Sequence, residues 1–137
     1  MIDAALNSSG TQIVLASSSD ENYPPENIIN GNTETFWIST GMFPQEFIVR
    51  FGNLVKIALV TMHSYNVKTL KIEKNTLNDT LEFEPVAEKE FECTEGHLQT
   101  NSFSLPGISV THLRFIITAG YDHFVSVHRV TVDGAQE

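Results

Sequence analysis

The chain has 137 residues, 41% of them hydrophobic and 18% charged, which suits one globular domain with a core of its own. Eight Lys and Arg against 17 Asp and Glu leave a formal net charge of −9, which argues against nucleic acid or an anionic membrane surface as partner. The single cysteine, Cys93, can make no internal disulfide, which fits a reducing compartment.

The N-terminal MIDAALNSSGTQ has no basic region ahead of an apolar core, so it does not read as a secretory signal. No apolar run has the length of a membrane span, so no membrane insertion is expected. TQIVLASS (11–18) reads as a short strand closed by a serine-rich turn. PPENIIN (24–30) suits a single helical turn, because proline's fixed φ fits the first helical position. QEFIVRF (45–51) alternates, with Phe47, Val49 and Phe51 on one face. VKIALVTMHS (55–64) is apolar on both faces, as a central strand is. TLKIEK (69–74) turns Leu70 and Ile72 inward. EKEFEC (88–93) sets Glu88, Glu90 and Glu92 against Phe91 and Cys93, so Cys93 is predicted to be packed and inert. THLRFIIT (111–118) aims Leu113, Phe115 and Ile117 one way. VSVHRVTV (125–132) moves its valines from odd to even positions, which predicts a bulge near His128 and Arg129.

Turns are predicted at Gly31, Gly41, Gly52-Asn53, Gly96, Pro106-Gly107 and Gly120. Many short strands, no strand–helix alternation and nine phenylalanines predict an all-β antiparallel sandwich, one domain over 1–137. The acidic excess gathers in 79–95, which reads as a solvated strand face, the alternative being a docking surface for a basic partner.

YPPENIINGNTETFW (23–37) puts many oxygens beside the chain's only tryptophan. Calcium takes about six to eight oxygen ligands, and Asn27, Asn30, Asn32 and Thr35 supply side-chain oxygens close together. Gly31 permits the sharp turn that would bring carbonyls to one point, with Phe36 and Trp37 entering the core behind it. None of the four donors is a carboxylate. Asp133 is the best candidate for a distant acid, because the ends of a sandwich chain often lie close together. The same residues suit a self-capped Asx-turn loop with no ion equally well.

SSSDENYPPENIINGNTETFWISTGMFPQEFIVRF, followed in order by TLKIEK, TEGHLQ, LRFII and YDHFVSVHRVTVDG, resembles the intraflagellar transport protein 25 (heat shock protein beta-11) family over nearly the whole chain. The resemblance implies a galactose-binding-like, discoidin-type (F5/8 type C-like) jelly roll with a structural calcium ion in the loop before the Phe-Trp pair. By position its ligands fall on Asn27, Asn30, Asn32 and Thr35, with Asp133 as the acid. Asn30 departs from the pattern, since an aspartate is expected there, and its loss should weaken calcium binding. The resemblance also implies a non-catalytic subunit of intraflagellar transport complex B, in the cytoplasm and cilium. It would form a heterodimer with a Rab-like small GTPase, alongside other complex B subunits.

Two aromatic-rich segments bounded by glycines are candidates for the GTPase contact: Met42, Phe43 and Pro44 in one, Tyr121, His123 and Phe124 in the other. The same residues could instead plug the end of the sandwich. No catalytic residue is proposed. A Gly-x-Ser-x-Gly elbow and a glycine-rich phosphate loop are both lacking, and His112, His123 and His128 do not share a zinc spacing. The alternative is a discoidin-like module that binds a glycan or lipid. It rests on fold analogy, and the chain has few arginines to offer such a ligand.

Overall fold

The structure is a computed structural model that describes residues 2–3, 5, 10–18, 20–32, 34–40, 42–76, 83–94 and 97–136. Its elements are β1 Ile2–Asp3, β2 Gln12–Ala16, a 3-10 turn Pro25–Ile29, β3 Trp37–Ile38, β4 Gln45–Tyr65, β5 Val67–Asn75, β6 Glu84–Glu90, β7 Gln99–Gly120 and β8 Ser126–Gln136. The strand order is β1-β8-β4-β7-β5-β6, with β2 also on β4 and β3 on β8, and every pairing is antiparallel.

Two long strands make this one ladder into two layers. The first part of β4 (45–50) pairs with β2 and with 112–117 of β7, which continues to β5 and β6. The second part (55–65) pairs with 99–110 of β7 and with β8. Gly52-Asn53 and Pro106-Gly107 are therefore not the turns predicted. They lie inside β4 and β7, close to the register shifts between Arg50 and Val55 and between Ile57 and Leu59. A chain that switches layers needs a bend in mid-strand, and bulges with glycine or proline supply it. Gly107 sits at φ +81°, where a side chain would be strained.

The core fills the space between the layers. Trp37 of β3, fully buried, meets Phe47 of β4 edge-on at 5.6 Å, and Phe47 stacks on Phe115 of β7 at 4.9 Å. Phe91, just past β6, approaches Phe103 from the other layer at 6.1 Å. Leu70, Ile72, Leu113, Ile117 and the valines of β8 are buried in the same core. The bulge predicted in β8 is present: His63 pairs with Arg129 and Ser64 with Val127, so His128 has no opposite residue on β4.

Cys93 is exposed, against the prediction of a packed thiol. The strand ends at Glu90, so the period-two pattern that buries Phe91 does not carry on to Cys93. Val14 and Leu15 are also exposed, at a register shift between Ile13 and Leu15. Of the acidic segment, 79–82 and 95 lie outside the described residues, as do the turns predicted at Gly41 and Gly96. Glu84, Glu88 and Glu90 of β6 are exposed.

Candidate functional site

The loop of 24–37 is closed by its own side chains. Pro24 precedes the 3-10 turn, whose Ile28 and Ile29 are buried and anchor it to the core. The turn stops at Asn30, and Gly31 follows at φ +81°, a conformation glycine adopts without steric cost. The Asn27 amide donates to Phe36 O at 2.9 Å. The Asn32 N–H donates to Asn30 Oδ1 at 2.9 Å, and the Glu34 N–H donates to Asn32 Oδ1 at 2.8 Å. The Asn30 amide nitrogen donates to Thr35 Oγ1 at 2.8 Å and, at 3.5 Å, reaches Asn27 Oδ1. Thr35 Oγ1 in turn donates to Asn32 O at 3.3 Å. Behind the loop the Trp37 indole N–H donates to Ser18 O at 2.9 Å. Phe36 is only half-buried, and its ring lies between Tyr23 (4.7 Å) and His128 (4.8 Å).

The structure thus gathers Asn27, Asn30, Asn32 and Thr35 into one hydrogen-bonded cluster. Asp133 has a different setting, on β8 opposite Leu59 of β4 and Asp3 of β1. Its distance from Val127, the partner of Trp37, is about 20 Å along the strand at ~3.3 Å per residue. Calcium needs converging oxygens and usually carboxylate charge. Here the four side chains are neutral, and the atom that Asn30 turns toward Asn27 and Thr35 is a donor nitrogen. As arranged, this donor set does not fit a calcium ion. Among the described residues no three His, Cys, Asp or Glu side chains gather where they could hold a metal.

A second feature lies where the 39–43 segment meets 120–124. Ser39, Thr40, Met42, Phe43, Gly120, Tyr121, Asp122, His123 and Phe124 line an open cleft of about 820 Å³. The predicted contact residues fall into two kinds. Met42 is 88% exposed, and Tyr121 and Phe124 are each 40% exposed. His123 and Pro44 are exposed too. Phe43 is partly buried against the core, and a Cβ on Gly120 would stand 2.7 Å from its Cζ. The glycine is what lets the tip of this ring come so close to the chain. Tyr121 is held by its polar end: its hydroxyl donates to Phe91 O at 2.6 Å, its N–H to Asn66 O at 2.8 Å, and Lys68 Nζ stands 5.9 Å from the ring centre.

The cleft walls are tied to the sandwich. Ser39 N–H donates to Val125 O, and Val125 N–H donates to Ser39 Oγ, both at 3.0 Å. Gln45 Nε2 donates to Met42 O at 2.6 Å, which fixes the backbone under the most exposed side chain. Asp122 accepts from the His123 N–H at 2.7 Å, a local turn contact. Ser39, Thr40, Gly120 and Asp122 were not among the predicted contact residues. A glycine next to an aromatic segment was the one signal available for Gly120. Elsewhere, loss of hydration and the charges of Arg129 and His128 hold His63 below the usual imidazole range. Loss of hydration and Arg50 do the same at His112.

Residues 13–130 match the F5/8 type C domain. The chain is 52% identical over 133 residues to the human intraflagellar transport protein 25 homolog, covering 97% of this chain and 92% of that protein. It is 40% identical over 134 residues to the Chlamydomonas reinhardtii intraflagellar transport protein 25, covering 98% of this chain and 70% of that one. The chain belongs to the intraflagellar transport protein 25 family. This family's F5/8 type C fold is shared with solved structures of low sequence identity. A family 32 carbohydrate-binding module of Clostridium perfringens NanJ, solved with galactose, superposes with a TM-score of 0.80 at 18% identity, over 96% of this chain and 98% of that one. A chitobiase fragment from Bacteroides thetaiotaomicron superposes with a TM-score of 0.82 at 15% identity, over 99% and 93%. These identities establish the fold alone, the discoidin-type jelly roll.

Proposed function

We propose that this chain is a non-catalytic subunit of the intraflagellar transport machinery, complex B. In this reading it works in the cytoplasm and cilium and pairs with a Rab-like small GTPase of the same complex. The observation that supports it most is the match along nearly the whole chain to intraflagellar transport proteins of human and Chlamydomonas. The docking surface is the cleft between 39–43 and 120–124. Met42 and Phe124 supply exposed apolar contact, while Thr40, Asp122 and His123 form a polar rim. Phe43 and Tyr121 form the floor and keep the cleft in shape. The net charge of −9 favours a partner with a basic face. Among the described residues no helix is long and apolar enough to cross a membrane.

Co-expression of the two chains followed by gel filtration tests the pairing. Elution as one stoichiometric complex is the expected result, and separate elution of two folded proteins would overturn it. The second reading, a glycan-binding module, draws on the fold shared with the galactose-bound domain and on the exposed Tyr121 and Phe124 rings. A glycan array separates the two: specific sugar binding by the free chain would favour the second.

A further inference from the structure

The side chain of Asn30 has two ends, and the loop uses them for opposite purposes. Its oxygen accepts the Asn32 N–H at 2.9 Å, and its nitrogen faces Thr35 Oγ1 at 2.8 Å and Asn27 Oδ1 at 3.5 Å. The backbone N–H fixes which end is which. A flipped amide would set a donor against a donor at Asn32 and an oxygen against the oxygen of Asn27. An amide –NH2 between two oxygens does what a cation would do there: it supplies positive partial charge where lone pairs converge.

We infer that the Asn30 amide takes the place of a metal ion in this chain, so that the loop in front of Trp37 closes without calcium. An aspartate at this position would put a carboxylate oxygen where the nitrogen is. The Asn32 N–H would still be satisfied, and the Thr35 hydroxyl could turn to the carboxylate only by leaving Asn32 O, but Asn27 Oδ1, whose nitrogen is held by Phe36 O, would still face a full negative charge. That arrangement is unfavourable empty and favourable around a hard cation. One atom, nitrogen or oxygen, therefore decides whether the loop is metal-independent or metal-dependent. The consequence reaches the core, because the loop leads directly into buried Trp37.

Thermal unfolding with excess calcium and with excess chelator tests this, on wild type, Asn30→Asp and Thr35→Val. The wild-type midpoint should be the same in both conditions. Asn30→Asp should melt lower than wild type in chelator and rise by at least about 3 °C when calcium is added. Thr35→Val, which removes the oxygen that Asn30 grips, should melt lower than wild type in both conditions. A wild-type midpoint that climbs with calcium would overturn the inference. So would an Asn30→Asp protein that equals wild type in chelator and ignores calcium. Should Asn30→Asp fail to fold, equilibrium dialysis of wild type against radioactive calcium decides: no saturable uptake supports the amide, and saturable uptake at millimolar calcium or below refutes it.

Discussion

The side-chain amide of Gln99 grips both backbone groups of Val67. Val67 N–H donates to Gln99 Oε1 at 3.0 Å, and Gln99 Nε2 donates to Val67 O at 2.8 Å. The same amide donates to Glu92 O at 2.9 Å and accepts from Ser64 Oγ at 3.2 Å. One buried side chain at the start of β7 therefore ties the end of β4, the start of β5 and the segment after β6. Gln99→Met keeps the length and removes every one of these contacts. Leaving buried backbone groups without partners costs about 1–3 kcal/mol each, so a loss of ~3 kcal/mol is expected in urea unfolding. A loss below about 0.5 kcal/mol would mean that water replaces the amide freely.

Gly120→Ala tests the packing under the cleft. The added methyl carbon would stand 2.7 Å from Phe43 Cζ, 3.0 Å from Asn66 O and 3.1 Å from Val125 Cγ1. The ring can move but the carbonyl cannot do so cheaply. Overpacking of this kind costs about 1–3 kcal/mol, and the ring should swing outward into the cleft. Calorimetry reads the first effect, and the chemical shifts of Met42 and Phe124 read the second. Phe43→Asp should destabilise too, because it removes a ring that packs on the core and puts a charge in its place. Unchanged stability in both variants would contradict the floor role given to Phe43.

The histidines set the direction of the acid response. His63 and His112 both lie below the ordinary value of 6.5 in the folded chain. The unfolded chain therefore binds more protons than the folded one at pH values just below that ordinary value. The contribution is complete above it and fades as the pH falls through the lowered folded values. Stability should drop as the pH falls below about 6.5, the ordinary value, and the His63→Gln, His112→Gln double variant should show a shallower drop. Denaturant midpoints above and below that pH provide the check. A double variant with a steeper drop than wild type would show the opposite sign.

Period-two patterns in the sequence reported the fold well where a strand is long and one face is buried. Leu70 with Ile72, and Phe47 with Val49 and Phe51, are buried as their spacing requires. The parity change across His128 was legible because a bulge shifts alternation by one residue. Where the strands bend, the same reading failed. Gly52-Asn53 and Pro106-Gly107 carry turn chemistry, but a corner inside a long strand uses the same residues, and only the partner strands distinguish the two. At the loop, composition collected Asn27, Asn30, Asn32 and Thr35, yet it could not say which end of the Asn30 amide faces inward. At the cleft, hydrophobicity grouped Phe43 with Met42 and Phe124. Gly120 separates them, by holding the first ring down while the other two side chains stay exposed.

The most direct measurement is a titration of the purified chain into the Rab-like small GTPase proposed as its partner, wild type against the Met42→Asp, Phe124→Asp double variant. Both substituted side chains stand exposed, so the double variant should keep the wild-type melting midpoint. The dissociation constant should rise by at least about 30-fold, the loss of ~2 kcal/mol that marks a binding hot spot. An unchanged constant with an intact fold would contradict the claim that this cleft is where the GTPase docks.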